Sequence, residues 1–562
     1  MARFDTRVDD DARRWFDAPM TRADQAATSR RSWWGWGYED SAMTDAEVTS
    51  LGAAVGERLG TSVDIAAAPR LADIDLREPR IQPPDALAHL CRRDSYERAL
   101  HSYGRSYRDI VRGLRSAYPD PPDLVVYPNS EADVVAVLDW CTSADVACVP
   151  FGGGSSVVGG VEPAGLGSSY QGVVSLDLTG LNRVLEIDRR SRAARIQAGA
   201  LGPVLEDQLR PHGLTLRHFP QSFEVSTLGG WLATRSGGHY ATAYTHIDDL
   251  VESMRVVTPS GISESRRLPG SGAGPSPDRL FLGSEGSLGV ISEAWMRVQD
   301  RPRWRGSAAV RFTTLAAGAE AARSLSQSAL FPVNCRLLDA GEALISAGVA
   351  DIAESGGLLL VGFESADHPV GPWLDRALEL CRDHGGTVPA GEVVLREDAS
   401  AGRDGAAGAW RGAFIRAPYT RDGLVRCGVI CETFETACTW DRFAELHDTV
   451  TDAVQKAILA VGGAAGWVTC RFTHVYPDGP APYFSVIAAG RRGQELEQWA
   501  AIKEAASEVL LDAGASITHH HAIGRDHDRW YRRQRPEPVG RALAAAKVAL
   551  DPAGILNPGV IA

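Results

Sequence analysis

Val149-Pro150-Phe151-Gly152-Gly153-Gly154-Ser155-Ser156-Val157-Val158-Gly159-Gly160 is the stretch on which the reading of this 562-residue chain turns. Ala147 to Pro150 has the apolar texture of a short strand, and the glycines after it end that strand in a turn. Three consecutive glycines, two hydroxyls and two further glycines let the backbone curl into a nest of N–H donors. Such a nest holds a pyrophosphate through amides instead of a lysine. No Gly-Lys-Ser/Thr closes the loop and no G-x-G-x-x-G register fits it, so it is neither a P-loop nor a Rossmann fingerprint. Taken alone, the loop has a competing reading as a glycine-rich hairpin without a ligand.

The surroundings favour a ligand. Upstream, Leu124 to Tyr127 reads as a strand and Pro128-Asn129 as a turn. Ser130 then caps a helix, with Asp133 placed for the reciprocal half of a capping box. Val134, Val137, Leu138 and Cys141 fall on one face of that helix, which completes a βαβ unit with the strand before the glycines. Further strands are expected at Val173 to Leu178, Val184 to Ile187 and Ser253 to Val257, with a helix after Gly202, in an α/β region reaching about residue 300. Three more glycine and hydroxyl clusters lie in it: Pro220 to Gly238, Val257 to Gly261, and Gly283 to Ile291. Together the four could line an extended dinucleotide.

Beyond residue 303 the pattern suits an antiparallel sheet covered by helices, with strands at Ala308 to Phe312, Leu358 to Gly362, Gly428 to Glu432, Thr469 to Val475 and Phe484 to Ala488. The tail is an Ala-rich helix, Pro538 to Leu550, stopped by Asp551-Pro552. At the other end, residues 1 to about 30 read as a loose arm. Trp33-Trp34-Gly35-Trp36-Gly37-Tyr38 should dock on the main body, because three tryptophans in four positions will not stay in water. Residues 84–115 read as helical, with Arg92, Arg93, Arg98, Arg105, Arg108, Arg112 and Arg115 on a solvated face. The chain divides accordingly into 1–117, 118–302, 303–510 and 511–562, an α+β organisation.

Composition narrows the function classes. A formal net charge of −13 argues against a general nucleic-acid binder, whose affinity rests on neutralising phosphates. The nine cysteines form no C-x-x-C pair, which leaves neither a zinc site nor a redox dithiol. The start of the chain has no apolar core of a signal peptide, and Ala457 to Val468 is too short to span a bilayer, so the cytoplasm is the expected compartment.

The order of the four glycine clusters, with the ending Leu550-Asp551-Pro552-Ala553-Gly554-Ile555-Leu556-Asn557-Pro558-Gly559, resembles the FAD-binding domain of the vanillyl-alcohol oxidase, or PCMH-type, superfamily. The resemblance implies a PCMH-type two-subdomain FAD-binding domain plus an antiparallel-sheet cap domain, with a helical N-terminal extension. It implies FAD held by Pro150, Gly152, Gly153, Gly154, Ser155, Ser156, Gly159 and Gly160 around the pyrophosphate. Pro220, Ser222, Thr227, Gly229 and Gly230 would lie along the flavin, and Thr258, Glu285 and Ile291 around the adenine and ribose. Many members bind the flavin covalently through a His in the first loop. Here Ser155 and Ser156 stand instead, so the FAD is expected to be non-covalent.

Further segments narrow the likeness. Trp34 to Tyr38, Tyr419-Thr420-Arg421-Asp422, Cys431-Glu432-Thr433-Phe434-Glu435-Thr436, Cys470-Arg471-Phe472-Thr473-His474-Val475-Tyr476, Pro482-Tyr483-Phe484 and Thr518-His519-His520-His521 resemble, in one order, the alkylglycerone-phosphate synthase family from about residue 33 onward. The Ala/Arg-rich make-up suggests a bacterial member. The likeness implies exchange of the acyl group of acyl-dihydroxyacetone phosphate for a long-chain alcohol through a flavin N5 adduct, in ether lipid synthesis, with no net oxidation. A His of the 519–521 group would accept the substrate proton. Tyr483 would carry a proton near the leaving carboxylate, and Arg421 would orient that carboxylate. Arg336 and Arg525 are the further substrate-binding candidates. The likeness also suggests a homodimer with peripheral contact to a membrane, although the N-terminal arm carries no amphipathic anchor.

The His triplet has other readings. Extended, His519 and His521 would face one way and His520 the other. A metal would want further ligands at defined spacing, which the sequence does not display, so none is expected. Arg235 to Thr242 lacks the Lys pair expected of animal members, which leaves the substrate phosphate to local Arg and His. A redox flavoenzyme on the same fold, oxidising a 2-hydroxy acid or a larger natural product, is the competing activity. A non-catalytic flavin binder is the alternative of a different class.

Overall fold

The strand Val146–Phe151, which leads into the glycine loop, lies at one edge of a four-stranded sheet ordered Cys91–Arg92, Leu124–Val126, Gly172–Asp177, Val146–Phe151. The last three run parallel, and nearly every residue in them is buried, the unbroken apolar texture of a sheet covered on both faces. The crossover helix Glu131–Ala144 begins with the capping box expected of Ser130 and Asp133. It buries Val134, Val137, Leu138 and Cys141, the face its spacing predicts. The edge strand is not left open. Cys148 donates its N–H to the Ile555 carbonyl at 2.8 Å and accepts from the Asn557 N–H at 2.9 Å, so the tail lies along it as a further partner.

These elements belong to a computed structural model that describes residues 29–561, apart from 245, 348, 350, 351, 355, 398–404 and 463–465. The arm expected over residues 1–30 falls almost wholly outside the described residues.

A second sheet of five antiparallel strands follows in the order Val184–Asp188, Ala193–Gln197, Val290–Arg297, Val251–Thr258, Gly261–Glu264. The helices Gly202–Leu209 and Leu228–Thr234 close its core through Leu205, Leu209, Leu228, Trp231 and Leu232. The two sheets make the two subdomains of a PCMH-type FAD-binding fold. The third sheet has seven strands, all antiparallel, ordered Val393–Arg396, Trp304–Phe312, Gly357–Ser365, Asn334–Asp339, Trp467–Val475, Pro480–Ala489, Val429–Glu435. The helices Leu315–Ser326 and Gly371–Asp383 pack on it around Leu337, Val361 and Phe363. The helices Phe443–Gly462 and Glu495–Asp512 do so around Ile430, Phe484 and Val486. This is the helix-covered antiparallel cap.

The front of the chain departs from expectation. Residues 84–115 are not one helix but a short strand, Cys91–Arg92, and two helices, Ser95–Leu100 and Tyr107–Leu114. Nor are all its arginines solvated: Arg98 is 3% and Arg105 2% exposed. Their planar donor groups meet backbone carbonyls, Arg98 those of Pro122 and Arg77, Arg105 those of Gly104 and Ser32. Arg108 and Arg112 both pair with Glu162, just past the glycine loop. The arginines staple the front of the chain to the body.

The tryptophan segment docks as expected. Trp33 and Trp36 are each 5% exposed, and the Trp36 N–H donates to Asp422 Oδ2 at 2.5 Å. Gly37 has φ +63°, and a Cβ there would stand 2.0 Å from the Tyr419 hydroxyl, so this turn admits only glycine. All nine cysteines are free, seven of them buried. No helix among the described residues is long and apolar enough to cross a membrane.

Candidate active site

The glycine loop is pressed against the second glycine and hydroxyl segment. A Cβ on Gly152 would lie 2.3 Å from Thr227 Oγ1, and one on Gly153 only 1.6 Å from the Val225 carbonyl oxygen. The fourth segment reaches the same place: a Cβ on Gly160 would sit 2.8 Å from Glu285 Oε2, and one on Gly286 2.9 Å from Pro150 Cγ. Ser156 ties the loop, its Oγ accepting the Gly160 N–H at 3.0 Å and its carbonyl the Arg105 N–H. Among the described residues the amides of Gly153, Gly154, Ser155, Ser156 and Val157 find no protein acceptor. Five consecutive free N–H groups, two of them on buried glycines, are a donor set suited to a pyrophosphate, and FAD fits it.

The neighbouring candidates hold that cradle in shape. Thr227 Oγ1 caps the helix Leu228–Thr234 by accepting the Gly230 N–H, while the Gly229 N–H donates to the Ala198 carbonyl. Ser222 donates to Ser226, which also accepts the Trp231 indole N–H, and the Pro220 carbonyl accepts the Phe223 N–H. Thr258 spends its hydroxyl on the turn to Gly261, and Ile291 is packed in the core of the second sheet.

Two expectations are corrected here. Glu285 does not open toward an adenine or ribose: its carboxylate accepts the Ile523 and Gly524 N–H groups, just past the His triplet, and burial pushes its pKa up to about 7. Arg525 does not face a substrate phosphate: its guanidinium donates to the carbonyls of Glu162 and Pro558. Glu285 instead binds the segment after the triplet to the cluster Gly283 to Ile291, and Arg525 binds it to Glu162, just past the glycine loop, and to the tail.

The triplet itself is wrapped around one carboxylate. Glu435, 2% exposed at the end of the strand Val429–Glu435, accepts the backbone N–H of His519, His520 and His521 at 2.7, 2.9 and 2.8 Å, and the Thr518 hydroxyl at 2.7 Å. This is why the segment is not extended with alternating faces, as the sequence suggested. Burial alone would raise the Glu435 pKa, but the three imidazoles and their hydrogen bonds hold it well below the usual range. Burial also drives His519 well down and His521 to about 3, so these rings are neutral. A neutral imidazole beside a fixed carboxylate is a competent base.

Residues distant in sequence complete the cluster. His474 lies with its ring 5.3 Å from that of His519 and 5.4 Å from that of His520. Tyr476 and His246 extend the group from His519 outward. Nitrogens of His474, His519 and His520 lie within 4.8 Å of one another, and so do ligand atoms of Glu435, His520 and His521. Sequence spacing did not display such a set, because His474 and Glu435 come to the triplet from strands distant in the chain.

Tyr483 stands beside the triplet, its ring 5.5 Å from that of His521 and 6.3 Å from that of His520. Burial raises its pKa, so it is a phenol with a proton to give. The arginine at its side is Arg471, whose guanidinium carbon lies 3.9 Å from the ring centre and whose Nη1 pairs with Glu342. The buried Arg471 Nε has no partner among the described residues. Arg421, expected in this role, is used elsewhere: it donates to the Arg105 carbonyl, pairs with Asp422 and lies over Trp36. Arg336 is 1% exposed and reaches His239 at 3.3 Å, in the segment whose Gly237 lies against His474. It anchors a loop that covers the histidines.

Sequence reasoning thus missed Glu435, Arg471, His474, Tyr476 and His246. The first four sat inside the segments quoted for their family likeness. The signal that assigns Glu435 and Arg471 a role is the register, in which Glu435 and Arg471 are the cross-strand neighbours of Tyr483 on its two sides.

Known proteins match this architecture. Residues 122–264 match the FAD binding domain family, and residues 301–561 match the C-terminal domain of FAD linked oxidases. The alkyldihydroxyacetonephosphate synthase of Dictyostelium discoideum is 30% identical over 491 residues, covering 83% of this chain and 77% of that protein. The one from Caenorhabditis elegans is 28% identical, covering 96% of each. A solved alkyldihydroxyacetonephosphate synthase structure superposes with a TM-score of 0.77 at 25% identity, over 94% of this chain and 98% of that one.

Proposed function

The chain belongs to the alkyldihydroxyacetonephosphate synthase family of FAD-dependent enzymes, and from that premise we propose that it replaces the acyl group of an acyl-dihydroxyacetone phosphate with a long-chain alcohol. The observation that carries the reading is the row Glu435–Tyr483–Arg471 across three adjacent strands, with the His triplet folded against it. The amides of Gly153 to Val157 hold the pyrophosphate of a dissociable FAD. When bound, the isoalloxazine would supply an electrophilic centre and electron sink for the acyl exchange.

The protein supplies positioning and proton traffic. A neutral imidazole of the triplet removes the proton from the ester-bearing carbon, and the Glu435 charge stabilises the imidazolium that results. Tyr483 gives its proton to the departing carboxylate and recovers one from the incoming alcohol. Arg471, with a buried donor to spare, neutralises the carboxylate as it leaves. Arg336, through His239, holds the covering loop. A lipid product of this size fits peripheral contact with a membrane, which belongs to the same proposal.

The test is incubation with acyl-dihydroxyacetone phosphate and a labelled long-chain alcohol. Labelled ether should form while the flavin is oxidised at the end of each turnover. No ether, with rapid bleaching of the flavin by a 2-hydroxy acid, would establish an oxidase in its place.

A further inference from the structure

Five groups from four separate parts of the chain form an unbroken polar row. His246 Nε2 lies 2.5 Å from Tyr476 Oη, which lies 2.9 Å from His519 Nε2. His519 Nδ1 lies 3.1 Å from His520 Nδ1, itself 3.2 Å from Glu435 Oε2. We propose that this row is a proton relay, carrying the proton that His520 takes from the substrate through His519 and Tyr476 to His246. The proposal rests on the reading of the triplet as the base of acyl exchange.

The direction of the row follows from what each atom can do. An ionised carboxylate only accepts, so the hydrogen between Glu435 and His520 belongs to His520 Nδ1, which points between Glu435 and His519. His519 Nδ1 is then the acceptor, and its hydrogen sits on Nε2, donating to the Tyr476 oxygen. The Tyr476 hydroxyl in turn donates to His246 Nε2. The nitrogen left to meet the substrate is His520 Nε2, for which no protein partner is recorded among the described residues.

Each step balances. The substrate C–H proton joins His520 Nε2 and its electron pair stays on carbon. The hydrogen on His520 Nδ1 passes to His519 Nδ1, that on His519 Nε2 to Tyr476, and the one Tyr476 carried to His246 Nε2. The positive charge formed at His520 ends at His246, and the row run backwards restores every tautomer. Burial holds His519 below the ordinary imidazole range and Tyr476 above the ordinary phenol range, so these inner members pass a charge on more readily than they keep it, while at the outer end the Asp248 and Asp249 charges work against the burial that lowers His246. His474 packs beside the row, 5.9 Å from the His246 ring, and is neutral as well. His246 is only partly buried, so the proton can leave the row at that end.

The relay has a readout that needs no substrate. In 15N-histidine NMR of the resting holoenzyme, His519 should carry its hydrogen on Nε2 and His246 on Nδ1, with both patterns altered in Tyr476→Phe. In turnover, washout of hydrogen from the ester-bearing carbon into solvent should slow about tenfold or more in Tyr476→Phe and in His246→Gln, and no further in the double variant. Flavin content and KM should hold in both. Tautomers opposite to these, or washout at the wild-type rate in Tyr476→Phe, would overturn the relay. The tautomers decide it whether or not ether forms, so a wild-type protein that makes no ether counts against the acyl-exchange reading alone.

Discussion

Arg471 faces Tyr483 across two neighbouring antiparallel strands, with its guanidinium carbon 3.9 Å from the phenol centre. Glu342 grips the guanidinium from behind, so the pair is held as a unit and not as two mobile side chains. A cation over the ring and a phenol kept protonated by burial suit one task, receiving a carboxylate as it departs.

Tyr483→Phe keeps the ring and removes the proton. Its kcat should fall about 10²- to 10⁴-fold with KM little changed, as measured by ether formation at saturating alcohol. Arg471→Lys should raise KM as well, because an ammonium cannot replace a planar fork held between Glu342 and a ring.

Glu435→Gln leaves three histidine amides competing for one poorer acceptor. The variant should lose about 1–3 kcal/mol of stability and most of its activity, with a lower Tm that bound FAD only partly restores.

Acid should destabilise the protein early. His521 has a folded pKa near 3, lowered by burial, against an ordinary value of 6.5. Between these values the unfolded chain binds the extra proton, so stability is complete above about pH 6.5 and is lost as pH falls toward 3. The slope is about 1.4 kcal/mol per pH unit for each such group. Denaturant midpoints across that range should fall less steeply in His521→Asn.

Gly153→Ala drives a methyl into the Val225 carbonyl. The loop must open, so the variant should purify without visible flavin absorbance and with about 1–3 kcal/mol less stability. Gly272→Ala, where a Cβ meets nothing within 4 Å and the backbone is not left-handed, should retain its flavin.

Zinc should inhibit. His474, His519 and His520 offer nitrogens close enough to share one ion, and an ion there removes the base. Activity lost to micromolar zinc should return on chelation, and His474→Gln should raise the zinc required.

The legible parts of the fold were those with local causes. The helix Glu131–Ala144 was readable because Ser130 and Asp133 mark its start and four apolar residues mark its face. The strands Ala193–Gln197 and Val290–Arg297 were not, since short Ala/Arg-rich or mixed segments take their structure from neighbours. In the site, the His triplet stood out by composition and Tyr483 only through the family likeness. Glu435 and Arg471 did not, because a charged residue in a strand looks solvent-facing until the register sets it beside a partner. The front arginines misled for the same reason: a guanidinium that finds carbonyls inside the protein leaves no mark in the sequence.

The strand before the glycine loop takes its outer partner from Ile555 to Asn557. During synthesis, therefore, the edge of the flavin cradle stays open until residues some four hundred positions further along the chain have emerged. The cap, whose seven strands all come from residues 304–489, can form on the ribosome before the domain that precedes it is complete. Flavin capture then follows the cap in folding, and a chain cut short before residue 555 should yield a cap with no cofactor.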